Sequence, residues 1–326
     1  ATSLDDPAIS TPLFGALIGL DAASARAAYD SLSGEIHASL PAMFVSESAR
    51  LRDAVSSRIA SGFAGLGSGR TAPISEAEQK PLTNLQVWGQ IQGTRAMFNG
   101  DGNAARLSST TGGGLFGLES SPTQDIRLGL LAGFGRSTAS VDKRGSSATA
   151  DSFTLGAYGA IRSGAMRVEA GASHSWHQVS TRRQVAFGGI DETVTADYGS
   201  RTAQAFAALS YRLDTPWLGL EPFAGLAIAH HRAGAVTEAG SADVALSGKA
   251  STQLFGSTNL GMRLSKTLST RYGMTTELTG SLGWQHAIGS VTADRSRSGE
   301  VQRAQFSQSG PRAVPGGASA GRGRQE

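Results

Sequence analysis

The chain has 326 residues, with 29 Lys and Arg, 26 Asp and Glu, and no Cys. Its net charge of 29 − 26 = +3 is spread along the sequence, so there is no basic stripe of the kind that binds nucleic acid. Without Cys there is no disulfide framework and no thiolate metal site.

Residues 1–61 have the composition and spacing of helices. After Asp21 an Ala-rich run leads into apolar residues four positions apart, and Pro41 is expected to end or kink this helix because proline lacks an amide donor. A second helix is predicted over 46–59, where apolar residues again recur every fourth position. This periodicity fits a helical hairpin packed on a neighbour and equally a helix that passes into a pore.

Residues 62–84 are predicted to be a linker, because Gly65, Gly67, Gly69 and Pro73 interrupt any regular pattern. Period-two alternation then begins and predicts a β-domain over 85–291. We count about nine candidate strands between turn residues. They lie near 85–98, 105–119, 125–137, 148–162, 166–179, 193–213, 220–232, 246–264 and 272–288.

The two faces of these strands differ in chemistry. In the strand at 166–179, Met166 and Trp176 fall on an apolar face, and Arg167 and Glu169 fall on a face rich in Gly and Ser. A soluble β-sandwich also alternates in this way. Strand length, glycine on the polar face and aromatic residues near strand ends favour an outer-membrane barrel instead. The expected aromatic belt comprises Trp88, Trp176, Tyr211, Trp217 and Trp284.

Several short motifs carry a family resemblance. They are Val-Trp-Gly-Gln at 87–90, Phe-Asn-Gly-Asp-Gly-Asn at 98–103, Thr-Gly-Gly-Gly-Leu-Phe-Gly at 111–117 and Leu-Glu-Pro-Phe at 220–223. In order and spacing they resemble the C-terminal translocator barrel of classical (type Va) autotransporters. The upstream segments 32–39 and 50–55 resemble the junction between such a barrel and its passenger.

The resemblance implies an antiparallel outer-membrane β-barrel, 12-stranded in the family, with a helix across its lumen. The implied function is type V secretion, in which the barrel is the pore and anchor for an N-terminal passenger. Implied partners are outer-membrane lipid, the chain's own passenger, the barrel-assembly machinery and periplasmic chaperones. The chain would act as a monomer without a cofactor. The alternatives are a small porin or adhesin barrel without a passenger, and the soluble sandwich.

The C-terminal tail and the helical region both depart from the family pattern. Residues 292–326 form a tail rich in Pro, Gly and Arg, where family barrels have further strands and a terminal aromatic residue. We therefore expect a disordered tail and an incomplete barrel that lacks its last strands. The start at Ala1, without a signal-peptide pattern, is expected of a piece of a longer protein. The helical region contains no Asn, so the Asn-dependent self-cleavage of some relatives is not carried over.

Charged residues on the polar faces are predicted to face the lumen and pair there. They are Arg167, Glu169, Arg212, Glu221, Arg263 and Glu277, with Arg50, Arg52 and Asp53 contributed by the pore helix. No enzyme motif is present, and the enzymatic alternative is a membrane protease or lipase that uses Asp151, His174 and His177. His174 and His177 should point to opposite faces of one strand and hold no metal together. His230 and His231 are expected to be exposed to solvent.

Overall fold

A computed structural model describes residues 11–64, 85–100, 104–142, 144–269 and 275–288. Three helices come first, namely α1 (Thr11–Ile18), α2 (Ala22–Leu32) and α3 (Glu35–Ala64). In this described part of the chain, no helix is both long and apolar enough to span a membrane. Most of the predicted linker and the whole predicted tail lie outside the described residues.

The break between α2 and α3 occurs at Gly34, which adopts a left-handed φ of 63° that glycine tolerates best. Pro41 was expected to end or kink the helix, and an end at this residue is wrong, because α3 continues through Pro41 for 30 residues in all. Apolar side chains before and after the proline are fully buried in one cluster, Ile36 and Leu40 on one side and Met43 and Phe44 on the other. Their packing offsets the lost backbone hydrogen bond.

Nine long strands follow among the described residues, in agreement with the number predicted. They are β1 (Leu85–Phe98), β2 (Leu107–Thr123), β3 (Ile126–Val141), β4 (Ser146–Ser163), β5 (Met166–Phe187), β6 (Ile190–Tyr211), β8 (Gly219–Ala233), β11 (Ser251–Ser269) and β12 (Thr275–Ile288). Three strands have two residues each: β7 (Leu213–Asp214), β9 (Val236–Thr237) and β10 (Ser247–Gly248). The long strands form one antiparallel sheet in the order β1-β2-β3-β4-β5-β6-β8-β11-β12.

The two ends of this sheet have different connections. At one end, here called the loop rim, strands are joined by residues 99–106, 142–145, 188–189 and 234–250. At the other end, the turn rim, the connections include the two-residue turns 124–125 and 164–165. The sheet order begins at β1 and ends at β12, so within the described ranges these two strands are its edges.

The sheet curves around α3. The helix contacts strands from β1 to β11 through residues that all lie on one face. The other, convex face exposes large apolar side chains such as Leu130, 65% exposed, and Phe134, 60% exposed. The apolar core therefore lies between α3 and the concave face. Because the nine long strands form a single curved sheet whose apolar face points outward, the sandwich alternative is excluded and the barrel class is confirmed.

Candidate functional site: a helix held against the concave wall

The candidate site is the contact between α3 and the concave wall. Along the helix axis, apolar and polar groups of contacts follow one another, and each group is called a level. In the first third of α3, the ring of Phe44 stacks on His177 at a centroid distance of 4.0 Å and on His231 at 5.3 Å. His177 Nδ1 lies 2.7 Å from Ser152 Oγ, and Thr202 Oγ1 lies 3.0 Å from both His177 Nε2 and His231 Nδ1. One chain of hydrogen bonds therefore crosses β4, β5, β6 and β8 beneath Phe44.

This level corrects one expectation from the sequence. His230 is exposed as predicted, but His231 is 1% exposed. The reason is the alternation of β8, in which His231 shares the concave face with Glu221. The enzymatic alternative also finds no common site, because His177 is buried on the concave face whereas Asp151 lies exposed on the convex face, beside Arg136.

The next level is a buried cluster of charges. Arg167 binds Glu221 through two hydrogen bonds, and its Nε lies 3.5 Å from Glu169 Oε2. Arg263 donates to Glu221 Oε1 at 2.7 Å and to Ser56 Oγ of α3 at 2.7 Å. Ser56 in turn donates to Glu169. The structure thus brings together four of the six predicted wall residues and ties them to the helix through one serine.

The remaining predicted charges lie elsewhere. Arg212 does not join the cluster, because it follows the end of β6 and pairs with Asp214 at 2.9 Å. Glu277 is in register with Thr267 of β11, but its side chain lies outside the described residues. On the helix, Arg52 is buried and donates to Gln204 Oε1 at 2.8 Å. Arg50 donates to Ser46 within α3, and Asp53 is exposed.

At the turn rim, Glu119 is the hub of the contact. Its fully buried carboxylate accepts hydrogen bonds from Arg58 of α3, from Arg127 of β3 at 2.8 Å and from the Tyr158 hydroxyl at 2.9 Å. Trp88 donates its indole N–H to the same hydroxyl at 2.9 Å. One carboxylate therefore joins the helix to three strands.

This arrangement shows that the assignment of Trp88 to the aromatic belt was wrong. Trp88 is 1% exposed and faces inward, where it packs directly over Gly117, a position with no room for a Cβ. The four other predicted belt residues are exposed, namely Trp176, Tyr211, Trp217 and Trp284.

At the loop rim, the start of α3 is held by ion pairs. Arg144 pairs with Asp30 of α2 and with Glu35 at 2.9 Å. His37 Nε2 lies 3.1 Å from Glu238 Oε1, and Arg183 binds the same carboxylate. Burial alone would raise the pKa of Glu238, but the hydrogen bonds from His37 and Arg183, the charge of Arg183 and the Leu246 N–H together lower it to about 2. Glu238 therefore stays ionised over the physiological range.

A cavity of about 780 Å³ lies beside the last turns of α3 at the turn rim. Its wall includes Phe63 from the helix, Arg162 and Arg167 from β4 and β5, and Glu221 from β8. The concave side is thus incompletely filled by α3, and the unfilled part is lined mainly by polar groups.

Sequence reasoning missed Glu119, Arg183 and Glu238 as contact residues. For the first two a signal was available, because Glu119 shares its face with Gly113 and Gly117, and Arg183 shares its face with Arg167 and Glu169. Glu238 lies in a connection, where alternation carries no information.

Comparison with known proteins places these features in context. The sequence model of the family described as Autotransporter beta-domain matches residues 87–323, a range that extends past β12. The chain is 32% identical over 281 residues to an extracellular serine protease of Serratia marcescens. The match covers 86% of this chain and 26% of that relative, so the chain spans about a quarter of the relative's length.

Two solved structures have the same fold. The translocator domain of the autotransporter NalP from Neisseria meningitidis superposes with a TM-score of 0.59 at 20% identity, covering 78% of this chain and 81% of that one. The beta domain of the Bordetella autotransporter BrkA gives a TM-score of 0.52 at 17% identity, covering 65% and 81%.

Proposed function

Since the chain belongs to the autotransporter beta-domain family, we propose that α3 is the segment that connects its barrel, through the lumen, to a passenger at the cell surface. The chain is a translocator domain of type V secretion, located in the outer membrane of a Gram-negative bacterium. The helices and the barrel wall have separate roles in this domain.

The observation that carries the proposal is the unbroken length of α3 along the concave wall. Thirty residues at a rise of 1.5 Å give about 45 Å, which matches the thickness of a bilayer with its headgroups. The helix contacts the wall at both rims. A helix of this length and position can thread the pore from one side of the membrane to the other.

The orientation follows from the rims. Outer-membrane barrels have short periplasmic turns and longer extracellular loops, so the turn rim is periplasmic and the loop rim faces outward. Helix α3 starts at the loop rim and ends at the turn rim. The chain that precedes α2 is therefore outside the cell, where a passenger would be attached.

We assign the four regions of the chain accordingly. Residues 1–64 are the junction and pore helix, because α3 runs to Ala64 rather than ending at the predicted boundary of 61. Residues 65–84 are the linker, 85–291 the barrel wall and 292–326 a tail. The wall is a pore and anchor without an enzymatic role of its own. The name extracellular serine protease belongs to the Serratia relatives, and any such activity here would belong to a passenger.

Outer-membrane lipid is the partner of the convex apolar face. An apolar surface of this extent is rare on soluble monomers, and lipid removes it from water. The barrel-assembly machinery and periplasmic chaperones are proposed partners during insertion, and the inserted chain is proposed to be a monomer.

An epitope-accessibility experiment tests the proposal. We expect a tag placed before Thr11 and a tag inserted between Gly188 and Gly189 to be labelled by antibody on intact cells. A tag inserted between Gly164 and Ala165 is the matched control, because it also occupies a two-residue turn, and it should be labelled only after the outer membrane is opened. A porin-like barrel without a passenger connection is favoured if the tag before Thr11 behaves like the control.

A further inference from the structure

The last turn of α3 is enclosed by two arginines of the wall. Arg127 of β3 donates a hydrogen bond to the carbonyl oxygen of Gly62, and Arg162 of β4 donates to the carbonyl oxygen of Phe63 at 3.2 Å. Backbone carbonyls in the last turn of a helix have no partner within the helix. The wall therefore supplies two of the partners that the helix itself cannot.

The side chain of Phe63 lies between the same two arginines. The Cζ atoms of Arg127 and Arg162 are 4.9 Å and 5.0 Å from the centre of its ring, within the range of cation–π attraction. The carbonyl carrying the helix's partial negative charge and the aromatic ring thus both favour guanidinium groups at this place. We call Phe63, Arg127 and Arg162 the arginine clamp.

Both arginines are themselves fixed by the wall. Arg127 binds Glu119 at 2.8 Å and Ser121 at 3.1 Å, and Arg162 binds Asp125 at 3.2 Å. A planar guanidinium held by a carboxylate on one side presents its remaining donors in a fixed direction. The clamp is therefore already aimed at the site where the end of the helix arrives.

Gly62 is also required by this geometry. A Cβ on Gly62 would lie 2.8 Å from the Cζ and Nη1 atoms of Arg127, closer than real contacts. A side chain at this position would therefore push the guanidinium of Arg127 away from the helix end. The glycine at position 62 is therefore compatible with the contact between the helix end and Arg127.

We propose that the arginine clamp is an axial stop that fixes how far α3 is drawn through the pore. Phe63, Arg127 and Arg162 are positioning residues for the translocator. They hold the end of α3, and so they set how far the chain that precedes α3 extends beyond the loop rim. The inference rests on the proposed lumenal position of α3. Other wall contacts run along the sides of the helix, whereas the clamp engages its last carbonyls and can bind only one register.

Cysteine cross-linking can read this register directly, because the chain has no Cys. In α3, Glu47 Oε1 lies 3.1 Å from Thr111 Oγ1 of β2. The pair Glu47→Cys with Thr111→Cys should therefore be joined by a short bifunctional thiol reagent. A slip of one helical turn toward the loop rim, about 5.4 Å, would bring position 51 opposite Thr111, and Leu51→Cys with Thr111→Cys reports that state.

We expect the 47–111 product to dominate in the full chain in outer-membrane preparations. Replacing both arginines by Ala should lower the ratio of the 47–111 to the 51–111 product by at least about tenfold, the factor expected from loss of a single charge-assisted hydrogen bond. Arg136→Ala is the matched control, since Arg136 lies on the same strand as Arg127 but is exposed on the convex face. It should leave the ratio unchanged.

Two helix variants guard against a failure of the wall to fold. Gly62→Ala and Phe63→Leu leave every strand intact and should shift the ratio in the same direction. Ser61→Ala is their control, because the Ser61 hydroxyl hydrogen-bonds to the carbonyl oxygen of Ser57 in its own helix. An unchanged ratio in both helix variants would overturn the stop. Absence of the 47–111 product in the otherwise unmodified chain would instead contradict the lumenal position of α3.

Discussion

The two ends of α3 are held by opposite chemistry on different kinds of structure. At the loop rim, α2 contributes Asp30 and α3 contributes Glu35 and His37. Their partners on the wall are residues of connections and strand ends. At the turn rim, Arg58 of the helix binds Glu119 of the wall. The last carbonyls of the helix accept hydrogen bonds from two arginines that lie in regular strands. Both arrangements complement the helix dipole.

The difference lies in what fixes the partners. Glu119 of β2 stands opposite Gly129 of β3, and Arg127 of β3 stands opposite Ala160 of β4, so the positions of both residues are set by the sheet ladder. Glu238 stands in the connection between β8 and β11, and its position depends on how that connection folds. We therefore infer that the turn rim is the rigid attachment of α3 and the loop rim the adaptable one, at the end where a passenger joins.

The largest expected effect comes from removing the hub of the turn rim. Glu119→Gln keeps the volume but leaves Arg58 and Arg127 without a buried counter-charge, and we expect a loss of about 3 kcal/mol in the free energy of unfolding. Urea titration in detergent micelles, followed by Trp fluorescence, measures it. Asp151→Asn is the control, since its pair with Arg136 is exposed and should contribute under about 1 kcal/mol. Equal losses in both variants would contradict the special role of Glu119.

Glu238→Gln tests the loop rim and should cost somewhat less, about 2 kcal/mol, because the connection can rearrange around Arg183. The expected damage is local. Limited proteolysis should cut near Gly34 faster than in the unmodified chain, while the 47–111 cross-link is kept. Loss of that cross-link would show that the two ends are not independent.

The same carboxylate predicts a pH dependence. The pKa of Glu238 is lowered to about 2 in the folded chain, against about 4.3 for an unfolded Glu. Its contribution to stability is therefore full above the unfolded value and is lost as the pH falls from there through the folded value. Proteolysis near Gly34, assayed with an acid-active protease, should accelerate over that interval. In Glu238→Gln the acceleration should be weaker.

Gly34→Ala is expected to have a smaller effect, about 1–2 kcal/mol, because an alanine is strained at a left-handed φ. Its Cβ would also meet the side chain of Leu246. The change should alter the angle between α2 and α3 without touching the turn rim. Thermal unfolding and the 47–111 cross-link, measured together, separate these outcomes. A changed cross-link would mean that strain at Gly34 propagates along α3.

The sheet was predictable from sequence because alternation is a local property. In β1, Leu85, Val87 and Ile91 mark the outward face, and the same alternation places Trp88 inward with Gln90. Assigning Trp88 by its nearness to a strand end ignored this. The helix break was misplaced at Pro41 because burial on both sides of a residue is not visible locally. Which wall residue meets which residue of α3 depends on the axial position of the helix, and no single strand or helix encodes that position.

The smallest expected effect concerns α2, on the far side of the Gly34 break. Asp21 caps this helix by accepting the Ser24 N–H at 2.8 Å, and that hydrogen bond lowers the pKa of its carboxyl group. Asp21→Ala should lower the stability of α2 slightly, because the N-cap hydrogen bond is lost. Hydrogen exchange should show faster opening of α2 amides alone, with α3 amides unchanged, because Arg183 and Arg144 still hold the junction. If the α3 amides also open faster, α2 is part of the attachment, and the loop rim is less independent of the pore helix than its separate contacts indicate.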